Sequence, residues 1–164
     1  MTTAPLTAST KILTGFYLSL AFCVISSIIP TMLSQVIASI ASIIAIIAYY
    51  IIRRRWSDKS QDYAEASYVI KTFWIWSVLV VCGMMIAGLV ISTMGDMSAI
   101  HNWTQAVVEG GVMPSEDSLK QAVDDYTQAN LSLMTTMTVI GLLPATIYAG
   151  IRIYKGLKRL RQPI

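Results

Sequence analysis

Charge is scarce in this chain of 164 residues: Asp, Glu, Lys and Arg make up 13%, against roughly a quarter in soluble domains. With 55% hydrophobic residues, that shortfall excludes an ordinary water-soluble domain. Histidine is scarcer still. The single one, His101, cannot supply a pair of ligands for a membrane haem. Cysteine occurs only at Cys23 and Cys82, without metal-ligand spacing, so each is expected to act as a small buried hydrophobe. No phosphate loop, nucleophile elbow or metalloprotease motif is present. These absences leave no catalytic, cofactor-binding or metal-binding residue to name, and no enzyme activity is expected.

What the chain does have is long apolar runs. Ile12 to Ile52, Phe73 to Ser92 and Leu131 to Ile151 contain no Asp, Glu, Lys, Arg or His. An α-helix needs about 20 such residues to cross roughly 30 Å of hydrocarbon. The first run, as one helix, would be roughly 60 Å long, twice that thickness. It is therefore expected to fold back at Pro30, within "SSIIPTMLSQ", since proline suits the first turn of a helix. The expected fold is all-α: a four-span transmembrane helix bundle in a single membrane domain, with spans near 12–29, 31–52, 70–92 and 131–151. A helical extracytoplasmic loop covers 93–130. A single helix kinked at Pro30 would give three spans instead.

Lys11 followed by an apolar run imitates a signal peptide, but no small-x-small cleavage site follows. "LAFC", ending at Cys23, has Phe22 where a lipoprotein site needs a small residue, so the segment is expected to stay uncleaved.

Orientation follows from the basic residues, which favour the cytoplasmic side of short loops. Arg53, Arg54, Arg55, Lys59 and Lys71 lie between Arg53 and Thr72, ahead of the apolar run of the third span, and Arg152, Lys155, Lys158, Arg159 and Arg161 follow the fourth. The segment 93–130 instead carries Asp96, Glu109, Glu116, Asp117, Asp124 and Asp125 against Lys120 alone. Four spans put both basic segments and Lys11 in the cytoplasm. The three arginines then act as a topological lock, each costing about 2.5 to 3.5 kcal/mol if drawn to the bilayer centre. They could also attract an anionic lipid, at about 1 kcal/mol per charge.

Local patterns refine the picture. Asp58 or Ser60 can cap a helix that enters the membrane through Tyr63, Tyr68, Trp74 and Trp76, with Lys71 snorkelling outward. In the acidic segment, Ile100, Trp103 and Val107 have helical spacing that stops at Gly110 and Gly111. Ser115 then caps a second helix, striped by Leu119, Ala122, Val123, Tyr126 and Leu133, that is expected to run directly into the last span. Asn102 and Asn130 match glycosylation acceptors, a pattern frequent by chance and without meaning in bacteria.

"EASYVIKTFW" (Glu65 to Trp74) and "YAGIRIYKGLKRLRQPI" (Tyr148 to Ile164) resemble two segments of a family of small multi-pass bacterial inner-membrane proteins of unknown function. Lys71, Thr72, Phe73 and Trp74 stand for that family's Arg-Thr-Phe-Trp run, and Arg152, Gly156, Leu157 and Pro163 for its C-terminal Arg-x-x-x-Gly-Leu and proline. Ser67 and Tyr68 replace a common histidine, and the acidic loop is longer. The resemblance implies an inner-membrane architecture and no chemistry.

Ionisable residues inside a bilayer are the default marker of an ion or proton path, and apart from Lys71, expected to snorkel outward from the first turn of the third span, the expected spans contain no Asp, Glu, Lys, Arg or His. A non-catalytic accessory or assembly subunit of a larger membrane-protein complex is therefore the favoured function, with the lipid bilayer as its other partner and no nucleic acid. Small-residue stripes fit that reading: Ala38, Ala41, Ser42, Ala45 and Ala48, then Gly83 and Ala87, then Gly141, Ala145 and Ala149, any of which could meet a partner helix. A small permease or channel comes second. Third is an outer-face copper binder, because Met94, Met97 and His101 follow i, i+3, i+7 spacing and soft ligands suit Cu(I). Methionines that merely fill gaps between helices would look the same.

Overall fold

The computed structural model describes residues 8–29, 32–110 and 115–161, and for 32–35 the backbone alone. Five helices account for nearly all of them, with no strand among the described residues: α1 (Ala8–Ile28), α2 (Met32–Arg53), α3 (Gln61–Met94), α4 (Ser98–Val108) and α5 (Glu116–Arg161). Of these, α1, α2, α3 and α5 are long and apolar enough to cross a membrane. The chain is a multi-pass, all-α membrane protein. The expected turn at Pro30 lies outside the described residues, but α1 and α2 are separate helices and pack on each other.

Two helices outrun the bilayer. α3 has 34 residues and α5 has 46, roughly 50 and 70 Å at about 1.5 Å per residue, so each must project beyond roughly 30 Å of hydrocarbon. Their starts are capped as polar helix ends should be. Ser60, rather than Asp58, caps α3: its Oγ accepts the Tyr63 N–H at 3.1 Å. Ser115 caps α5 through a reciprocal pair, the Ser118 N–H donating to Ser115 Oγ at 3.1 Å and the Ser115 N–H to Ser118 Oγ at 3.2 Å. From there α5 continues through Pro144, which membrane helices tolerate.

The described residues divide into two compact units. The first comprises the chain up to 81 together with 142 onward; the second is 82–141. In the first unit α1 is the central element, and Leu13, Phe16, Tyr17, Leu20, Cys23 and Val24 recur along it at steps of three and four as one buried face. Around that face gather Ala45 and Tyr49 of α2, Val69, Phe73 and Trp76 of α3, and Ala145 and Ala149 of α5. The Tyr49 hydroxyl donates to the Phe16 carbonyl at 2.9 Å and also meets the Ser19 hydroxyl, so the one polar atom of this ring is satisfied. Cys23 is buried as expected. Cys82 is not: it faces outward on α3, where a lipid-facing thiol costs little.

In the second unit, α3 and α5 approach backbone to backbone. A Cβ added to Gly83 would overlap the Gly141 carbonyl, and one on Gly141 would lie 2.7 Å from the Gly83 oxygen. Ala87 packs beside them and is buried. The small residues of α2 likewise turn inward, with Ala38 and Ala45 buried. Gly83, Ala87, Gly141, Ala38, Ala45, Ala145 and Ala149, any of which could have met a partner helix, thus serve contacts within this chain. Gly83→Ala is accordingly expected to lower stability by about 1 to 3 kcal/mol through overpacking, whereas Gly88→Ala, with nothing within 4 Å of the new carbon, should leave it unchanged or raise it slightly. Unfolding in mixed detergent micelles measures both.

Candidate functional site

The first unit holds a polar cluster where the two segments 65–74 and 148–161 meet. Helical spacing places Glu65, Tyr68 and Thr72 on one face of α3 and Arg152, Gly156 and Arg159 on one face of α5, and these faces oppose each other. Glu65 is only 8% exposed, yet both carboxylate oxygens are matched. Oε1 pairs with Arg159 Nε at 3.0 Å, and Oε2 accepts from Arg159 Nη2 at 3.0 Å and from the Tyr17 hydroxyl at 2.9 Å. This is the two-pronged geometry in which guanidinium and carboxylate bind best. One acid thereby ties α1, α3 and α5 together.

Glycine makes the third partner possible. A Cβ on Gly156 would collide with the Tyr17 ring, so the ring can lie against α5 only where a side chain is absent. Tyr68 takes part through its face: Arg152 lies 3.6 Å and Arg159 4.1 Å from the ring centre. Arg152 Nε also donates to the hydroxyl of Thr72 at 3.2 Å, and that hydroxyl donates to the Tyr68 carbonyl at 2.7 Å.

The arginine triplet is not one unit. Arg53 closes the α2–α3 connection by lying 5.0 Å over the Tyr50 ring and 5.3 Å over that of Tyr63, while Arg54 and Arg55 face outward. Trp74 Nε1 reaches the Tyr50 hydroxyl at 3.2 Å, adding a second tie between α2 and α3. Lys71 is exposed, as a snorkelling side chain should be.

In the second unit a single amide organises the acidic segment. Asn130, buried on α5, donates from Nδ2 to the Asp96 carbonyl and to the Tyr126 carbonyl, both at 2.9 Å, while its Oδ1 accepts the Asp96 N–H at 2.7 Å. It grips the turn between α3 and α4 much as a strand neighbour would. Gly95 belongs to the same joint, since a Cβ there would lie 3.1 Å from Asn130 Oδ1. The start of α4 is helped by Asp96, whose carboxylate accepts the Ser98 N–H at 2.9 Å. That backbone bond, followed by one from the Ser98 side chain, holds the Asp96 carboxyl below its ordinary range. Its help is complete above the usual carboxylate range and is lost as pH falls through the lowered value. Trp103 Nε1 then donates to Ser118 Oγ at 3.2 Å, docking α4 on the start of α5.

This joint overturns the premise of the copper reading. Met94 ends α3, Gly95 and Asp96 break the helix, and Met97 precedes α4 while His101 lies within it. The three side chains do not share one helical face. No group of three His, Cys, Asp or Glu suited to a metal occurs among the described residues. A depression on α4 lined by Asn102, Gln105, Ala106 and Glu109 is broad and shallow.

No protein-family model, no curated protein and no solved structure matches this chain. The sites therefore rest on their own geometry. Lys71, Thr72, Phe73 and Trp74 fall in one of the two segments and Arg152, Gly156 and Leu157 in the other, and their sequence spacing alone does not join them; Pro163 lies outside the described residues. Glu65 is only the first residue of one of those segments in sequence, and nothing there points to Tyr17 as its partner. The signal was the paired spacing, Glu65–Tyr68–Thr72 against Arg152–Gly156–Arg159, acid on one face and base on the other.

Both oxygens of Glu65 are engaged, by Arg159 and by the Tyr17 hydroxyl, so the carboxylate holds three helices in register. Tyr17→Phe is expected to cost about 1 to 2 kcal/mol and Arg159→Gln a similar amount, since the partner that remains is a buried carboxylate. The double mutant should depart from additivity by about 0.5 kcal/mol or more, because both act through Glu65. Additive losses would show that Glu65 does not couple them.

Proposed function

We propose that this chain is a non-catalytic protein of a bacterial inner membrane that serves as an accessory or assembly subunit of a larger membrane complex. Its N- and C-termini are cytoplasmic, and the acidic segment with α4 and the first turns of α5 is extracytoplasmic. The distribution of Lys and Arg supports that orientation, with the basic segments at 53–71 and 152–161 and the acids between 96 and 125.

One observation carries the functional reading. Outside the spans, where lipid cannot cover them, Leu119 and Val123 of α5 are each 45% exposed and Val108 at the end of α4 is 75% exposed. Ala122 of the same stripe is buried against its own chain, so the stripe is only half covered. A partner subunit would complete it. The similarity of the segments at Glu65–Trp74 and Tyr148–Ile164 to a family of small bacterial inner-membrane proteins supports the location.

Purification from its native membrane in mild detergent is expected to bring down larger subunits with this chain. Leu119→Asp together with Val123→Asp should reduce that association severalfold while leaving the amount inserted in the membrane unchanged. A reporter at Gly110 should be active only if exported, and one after Ile164 only if cytoplasmic. A monodisperse chain that transports a solute by itself in liposomes would sink the reading and favour a permease.

A further inference from the structure

At the basic end of the first unit, Arg152 is a charge that no acid balances. Its Nε donates to Thr72 Oγ1 at 3.2 Å, and its guanidinium carbon lies 3.6 Å from the centre of the Tyr68 ring and 5.8 Å from that of Tyr148. Arg159 lies over the same Tyr68 ring, but its Nε and Nη2 are committed to Glu65. The one carboxylate of the cluster is thus taken up by Arg159 and leaves Arg152 without a counter-charge. Among the described residues the pair of Arg159 with Glu65 is the only ion pair, and the Nη groups of Arg152 have no acceptor.

The surroundings hold this guanidinium in place without neutralising it. Thr72 is fully buried, and its own hydroxyl proton goes to the Tyr68 carbonyl, so its oxygen is fixed to receive Arg152 Nε. Aromatic faces suit a planar, weakly hydrated guanidinium better than an ammonium. What remains is the Nη edge, a pair of parallel donors matched in geometry to two oxygens of a phosphate. Arg152 follows the last span at its basic end, at the depth of phospholipid headgroups, and exposed Lys155 lies one turn further along α5.

We propose that Arg152, fixed by Thr72, Tyr68 and Tyr148, forms a binding site for one phosphate group, either the headgroup phosphodiester of an anionic phospholipid or a free phosphate ion. It is separate from the attraction of lipid by Arg53, Arg54 and Arg55, and it does not depend on a partner subunit.

The test uses the full chain in mild detergent, read by native mass spectrometry and by thermal unfolding, with phosphatidylglycerol, phosphatidylcholine or inorganic phosphate added. Phosphatidylglycerol is expected to remain bound as one molecule and to raise the unfolding temperature; phosphatidylcholine should do neither. Arg152→Gln should weaken that binding roughly ten- to a hundredfold, the scale of a lost pair of charge-assisted hydrogen bonds, while Arg54→Gln leaves it unchanged. If the glutamine variant does not fold, Arg152→Lys keeps the charge but not the planar fork, and should weaken binding roughly tenfold. A shift given by inorganic phosphate and lost in the Arg152 variants assigns the site to the free ion; one given by phosphatidylglycerol alone assigns it to lipid. Absence of any shift, binding that survives in both Arg152 variants, or an equal loss in Arg54→Gln overturns the proposal.

Discussion

Hydrocarbon does not drive helices together, because lipid tails are as apolar as leucine, so contacts between spans must come from close backbone approach and from polar bonds. That constraint explains where the specific features of this chain lie. Gly83 meets Gly141 within the apolar part of α3 and α5, where the missing Cβ lets the two backbones touch. Towards the helix ends, polar side chains take over. Glu65 joins three helices at one, and Asn130 holds the α3–α4 turn at the other.

Glu65 and Asn130 solve the same problem with different chemistry. Asn130 faces a backbone N–H and two carbonyls, and a neutral amide can both give and receive there without any charge to bury. Glu65 instead carries a full charge into a nearly closed site and needs the guanidinium of Arg159, whose side chain remains 44% exposed. A pair with one partner in contact with water adds little net stability by its presence, since screening weakens it. Its effect is on specificity: an α5 rotated by one residue would leave a carboxylate unpaired, which costs several kcal/mol, at about the scale of a buried ion pair that has lost a partner.

The helices and their caps could be read from the sequence, because they depend on local features. Apolar runs marked the four spans, Ser115 marked the start of α5, and the absence of any break after Asn130 marked its continuity. Contacts between helices were not legible, because they depend on which faces meet. Nothing local distinguishes Gly83, jammed against backbone, from Gly88, which meets nothing. Nor does spacing reveal that Gly95 ends a helix between Met94 and Met97; glycine inside a run is often tolerated, and here the Asn130 amide, from 34 positions away, stabilises the break. The central place of α1 was equally hidden, since its run is less apolar than those of α2 and α3 and its buried face of Leu13, Phe16, Tyr17, Leu20, Cys23 and Val24 looks like any other apolar helix face.

Exposure in this molecule has to be read with the solvent in mind. Ile44 of α2 is 63% exposed and sits within a span, where hydrocarbon covers it at no cost. Val108 is 75% exposed in a segment rich in Asp and Glu, beyond the apolar stretch of α3, and there the same kind of surface stands in water at roughly 25 cal/mol for each Å² left uncovered. The many exposed isoleucines of α2 are therefore ordinary for a span, whereas the few exposed apolar side chains of α4 and the first turns of α5 are the surface on which the proposed subunit role rests. The unexplained surface lies outside the bilayer, although most of the exposed apolar residues lie within it.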